Sequence, residues 1–126
     1  MKKNTKSFLI KSKSDFIQQI KERIAIGNNL LSPNITSYDA LSIFKDEISK
    51  WHDFNKELLK QSYDNPDNEY LTEYKDSHPS RGFLGNHILS EDVKNSKKKI
   101  AYLIKGLEKL INKIDLIPAK VGITCN

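Results

Sequence analysis

The stretch DALSIFKDEISKWHDFNKELLKQS, residues 39–62, decides the fold. Within it Leu41, Phe44, Ile48, Trp51, Asn55, Leu58 and Ser62 recur at steps of three and four, a spacing that places them on one face of an α-helix. Thr36 and Asp39 are placed to cap its start, a hydroxyl paired with an acid three residues on. The predicted helix runs about 26 residues, or roughly 39 Å at 1.5 Å per residue. It is the spine of the domain.

At the centre of this helix Trp51, His52 and Asp53 are consecutive. Neighbours on a helix point about 100° apart, so these three cannot act on one another. Trp51 lies on the apolar stripe and is read as core, with a solvent-facing partner anchor as the alternative. Ser49 is one helical turn from both His52 and Asp53, but a working triad also needs an aligned His, an oxyanion hole and a cleft. One exposed helix face supplies none of these, and His52 and Asp53 are expected at the solvated surface.

Outward from the spine, three more helices are expected. Ser12 or Ser14 caps the first, Asp15 sits in its first turn, and Phe16, Ile17, Ile20, Ile24 and Leu31 form its apolar face. Gly27 weakens it late, and Ser32-Pro33 ends it. Asn65-Pro66 reads as the start of a short helix bearing Tyr70, Leu71 and Tyr74, because Pro is tolerated where a helical N–H has no partner. Ser90 is expected to cap the last helix, with Glu91 and Asp92 set against its dipole. Val93, Ile100, Leu103, Ile104, Leu107, Leu110, Ile111 and Ile114 give that helix a 3-4 stripe. Between the third and fourth helices lies one long internal loop, 77–89, without periodicity. The predicted fold is therefore all-α, an antiparallel bundle of about four helices, two long and two shorter. A short strand starting in VGIT, 121–124, is the one β element the sequence allows. The expected organisation is a basic flexible tail over 1–13, a bundle domain over 14–118 and a C-terminal tail over 119–126.

At 126 residues, 37% apolar and 29% charged, the chain has the size and composition of one globular domain. Its net charge of +5 hints at nucleic acid until the lysines are located. Lys2, Lys3, Lys6, Lys11 and Lys13 all precede the first acid, and the remaining 16 basic residues equal the 16 acidic ones. The excess belongs to the tail, not to a folded face. A single cysteine, Cys125, permits neither an internal disulfide nor a cysteine-based zinc site. No stretch approaches the roughly 20 apolar residues that span a bilayer, and SFLI, 7–10, is too short for a signal peptide. A cytoplasmic, non-membrane protein is expected.

No catalytic or cofactor motif is present, and no cofactor is expected. His78 and His87, with Asp76 or Glu91, match no zinc spacing. Lys94, Lys97, Lys98 and Lys99 form a basic cluster that can contact phosphates. It is balanced by Asp64, Asp67, Glu69, Glu73 and Asp76, and no aromatic is interleaved for base stacking. In the internal loop, Arg81 and Phe83 are the residue types of interface anchors, although the favoured reading has Phe83 and Leu84 fold back to plug the bundle's open side.

RIAIGNNLL, KWHDFNKELLKQSYDNPDNEYLTEY and LIKGLEKLINKIDLIP together resemble the helical region that precedes TIR-like, predicted nucleotide-binding effector domains in bacterial proteins, some linked to antiphage defence. The resemblance spans about Phe16 to Pro118, with landmarks at Gly27, Leu30, Leu31, Trp51, Asn55, Leu58, Leu59, Leu116, Ile117 and Pro118. In that layout an effector domain follows Pro118, whereas this sequence ends at Asn126. The resemblance implies an accessory role in regulation or oligomerisation and carries over no catalytic residue. The expected function is a non-catalytic protein-interaction or oligomerisation module that binds a protein partner or a second copy. The alternative is a small nucleic-acid-binding protein that uses the N-terminal lysines and the 94–99 cluster.

Overall fold

The computed structural model of the protein describes residues 7–77 and 88–119. Four α-helices, α1 (Lys13–Leu30), α2 (Tyr38–Ser62), α3 (Glu69–Lys75) and α4 (Leu89–Asn112), are followed by a 3-10 turn at Ile114–Leu116. The expected all-α bundle is what forms. Its directions follow from the contacts: Arg23 meets Asn55 where Gly27 meets Trp51, so α1 and α2 run antiparallel. Gly27 also faces Ile104, while Lys97 reaches back to Pro33 just after α1, so α1 and α4 are antiparallel as well. Tyr74 lies against Gly106 and Glu73 bonds Lys113, which sets α3 antiparallel to α4.

Three of the four helices start where a side chain satisfies a free backbone N–H group, not always at the residue expected. Ser12 accepts from Asp15 N at 3.0 Å. For α2 the cap is Ser37, accepting from Ala40 N, rather than Thr36 with Asp39. For α3 it is Asn68, which accepts from Leu71 N and donates to Leu59 O and Asn65 O. The Asn65-Pro66 pair instead forms a turn closed by Asp67 N on Asn65 Oδ1 at 3.0 Å. α4 starts at Leu89, after an N-cap at Ile88 that makes no side-chain hydrogen bond, which leaves Ser90 inside the helix. Ile114, read as the end of α4, lies in the 3-10 turn beyond it.

The core runs the length of the bundle and contains Phe16, Ile20, Phe44, Ile48, Trp51, Leu59, Tyr74, Ile100, Leu103, Leu107 and Leu110. Gly27 is buried because α1, α2 and α4 converge there: a Cβ at that position would lie 2.5 Å from Trp51 Cζ2 and 3.1 Å from Ile104 Cδ1. What reads in sequence as a helix weakness is a close approach of helices.

Residues 7–11, assigned to the tail by their lysine content, pack onto the bundle. Leu9 is fully buried, bridging to Tyr63 on one side and Ala119 on the other. Its N–H donates to Pro118 O at 2.8 Å, and Ile10 N–H donates to Ser62 O at 2.9 Å. Ser7 donates both its N–H and its hydroxyl to the Glu69 carboxylate. The segment thereby ties both ends of the described chain to the α2–α3 corner. Beneath it Tyr63 stacks on Tyr70 at 4.8 Å and meets the edge of Phe16 at 5.8 Å. No helix among the described residues is long and apolar enough to cross a membrane. The loop anchors Arg81 and Phe83, together with His78, His87 and VGIT, lie outside the described residues.

Candidate functional site

Trp51, His52 and Asn55 of α2 join Arg23 of α1 and Tyr74 of α3 in one connected cluster of hydrogen bonds. Asn55, on the apolar stripe, is fully buried, and its Oδ1 accepts the Arg23 Nε–H at 2.7 Å. That charged donor fixes the orientation of the amide, whose Nδ2 then donates to the Tyr74 hydroxyl at 2.9 Å. The same hydroxyl is hydrogen-bonded to His52 Nδ1, also 2.9 Å away. Trp51 Nε1–H closes the cluster by donating to Arg23 O at 2.9 Å. His52 is therefore not simply solvated: it is half-buried against α3.

Burial sets the ionisation of this cluster. It pushes the Tyr74 phenol upward, outweighing the opposing effects of the Asn55 hydrogen bond and the Arg23 charge. Burial also lowers Arg23, partly offset by Tyr74 and Glu22. Tyr63 is raised in the same way, by burial first and then by Tyr70, Glu69 and Glu73. Its hydroxyl is the one buried side-chain polar atom without a partner among the described residues.

The Ser49, His52 and Asp53 combination does not assemble. Ser49 is exposed, His52 is turned to Tyr74, and Asp53 pairs with Lys56 at 3.3 Å. No group of three or more potential metal-ligating residues occurs among the described residues.

On the outer side of Arg23 the cluster opens into a groove of about 760 Å³ between α1 and α2. Its floor holds Phe54 and Leu58, and the Arg23 guanidinium lies 4.1 Å from the centre of the Phe54 ring. Phe54 is nonetheless 58% exposed. Lys11, Lys50 and Arg23 supply three positive charges to the rim, and Glu22, Asp53 and Glu57 supply three negative ones. Ile26, exposed on α1, follows Glu22 and Arg23 by one turn and shares their face.

Comparison with family models, with curated proteins and with solved structures finds no match. The geometry of the site therefore has to carry the functional reading.

Three of the four lysines of the basic cluster, Lys94, Lys97 and Lys98, stand at i, i+3 and i+4 on α4 and share one of its faces. Lys97 donates to Pro33 O at 2.9 Å, holding the α1–α2 connection. Lys94 and Lys98 are exposed, one turn apart. Lys99 turns toward α2. The groove around Arg23 and Phe54 escaped the sequence reading because its partners are 31 residues apart on different helices. The one available signal was Phe54 itself, an aromatic on the polar face of α2.

Proposed function

We propose that this protein is a non-catalytic helical oligomerisation module that pairs with a second copy of itself through the α1–α2 groove. The observation that carries the reading is the exposed Phe54 under the Arg23 guanidinium in a groove rimmed by equal numbers of opposite charges. A two-fold contact presents the same patch to itself, so a patch holding both signs places acid against base, whereas a patch of one sign repels its copy. Arg and aromatic residues in a desolvated centre are the usual energetic anchors of such contacts. The non-catalytic part of the reading is supported by the engagement of His52, Asn55, Tyr74, Arg23 and Trp51 with one another. That the module serves a bacterial nucleotide-binding or defence effector rests on the resemblance over Phe16–Pro118.

Light scattering coupled to size exclusion, run over a concentration series, tests the proposal. A mass that rises from monomer to dimer, with slowed hydrogen exchange confined to α1 and the outer face of α2, is the expected result. A monomer at every concentration overturns self-association.

A further inference from the structure

A second concave site lies between α2 and α4, away from the Arg23 groove. It is a cleft of about 290 Å³ lined by Lys45, Ile48 and Ser49 from α2 and by Ser96 and Lys99 from α4. Lys45 and Ser49 are one turn apart on α2, and Ser96 and Lys99 are one turn apart on α4, so each helix contributes one ammonium and one hydroxyl. Ile48, buried, forms the floor.

The cleft contains no acid. Of the two carboxylates adjacent in sequence, Asp46 is paired with Lys50 at 3.4 Å and Glu47 does not line the cleft, and neither Lys45 nor Lys99 forms an ion pair among the described residues. Elsewhere on α2 the lysines take local partners: Lys50 pairs with Asp46, Lys56 with Asp53 and Lys60 with Glu57. The ammonium groups and the hydroxyls beside them are all donors available to an anion, and only the ammonium groups can neutralise its charge. Lysine presents a compact charge with three donors and suits a tetrahedral oxyanion, where arginine's planar fork suits a carboxylate.

We propose that this cleft binds the phosphate group of a small phosphomonoester, with Lys45 and Lys99 neutralising its charge and Ser49 and Ser96 donating to its oxygens. A monoester carries close to two negative charges at neutral pH, one for each ammonium. A backbone phosphodiester carries one. The size of the cleft admits the phosphate and part of the group attached to it.

Amide chemical-shift titrations of the full chain test this with three probes: inorganic phosphate, a nucleoside monophosphate, and an oligonucleotide lacking terminal phosphates. Saturable shifts centred on Lys45, Ser49, Ser96 and Lys99 with the first two probes are expected. Lys45→Ala and Lys99→Ala should each weaken binding about tenfold, while Lys109→Ala on the far part of α4 leaves it unchanged. Lys45→Arg should restore part of the affinity. Both lysines are at the surface, so an unchanged circular-dichroism spectrum separates lost binding from lost fold. The proposal is overturned if no probe gives saturable shifts there. It is overturned equally if only the oligonucleotide does, because the ligand would then be a nucleic-acid backbone, or if the alanine variants bind as tightly as wild type.

Discussion

Replacing Asn55 with alanine is the most informative single change to the fold, because one buried amide joins three helices. The substitution removes the acceptor of the Arg23 Nε–H and the donor to the Tyr74 hydroxyl. A hydrogen bond to a charged group contributes about 1.5–3 kcal/mol and a neutral one about 1 kcal/mol. Neither partner is wholly stranded: Tyr74 keeps His52, and Arg23 keeps its place over the exposed Phe54 ring, within reach of water. The expected loss is therefore about 3 kcal/mol, a large part of the roughly 5–15 kcal/mol that holds a domain of this kind together. Tyr74→Phe alone should cost about 1 kcal/mol, and the double variant about 1 kcal/mol less than the sum, since the Asn55–Tyr74 bond is lost only once. Urea unfolding followed by the fluorescence of Trp51, the single tryptophan, reports directly on the cluster. A cost below about 0.5 kcal/mol for Asn55→Ala, or strict additivity in the cycle, would refute the network.

Three further outcomes follow from the packing. Gly27→Ala would stabilise an exposed helix by about 1 kcal/mol, but here the methyl meets a Trp51 ring already held by its bond to Arg23 O, so thermal melting should show a net loss of about 1–2 kcal/mol. Leu9→Ala should cost about 3 kcal/mol in chemical denaturation, whereas a detached tail predicts no change. Stability should fall in alkali. Burial raises the phenols of Tyr63 and Tyr74 in the folded state, so their contribution is intact below the unfolded phenol value near about 10 and is lost as pH rises through the higher folded values. Each should remove about 1.4 kcal/mol per pH unit above that point. Melting temperatures taken across this range should fall less steeply for Tyr74→Phe than for wild type.

The bundle itself was legible because its signal is local. The 3-4 stripes of α2 and α4 state the helical period and identify the buried face, and Trp51 is core for that reason alone. The helix starts were less legible. Thr36 and Ser37 are both capping residues, as are Asn65 and Asn68, and which one is used depends on how the chain enters the bundle. The docking of Leu9 left no periodic trace, since a single pair of bridges has no repeat, and the neighbouring lysines gave the segment the composition of a tail. His52 appeared solvated for a related reason. Its partner is 22 residues away on α3, and Asn55, the hub of the cluster, reads in sequence as a polar interruption of an apolar face. Spacing describes one helix at a time, and the candidate site is built between helices.

The central claim is that Phe54 and the charges around it form a self-complementary surface. Phe54→Asp tests it most directly, because the ring is exposed and its loss leaves the Asn55 network in place. Light scattering of the variant beside wild type should show a monomer at concentrations where wild type is a dimer, with the two melting within a few degrees of each other. A dimer that persists in Phe54→Asp would place the contact elsewhere and contradict the account.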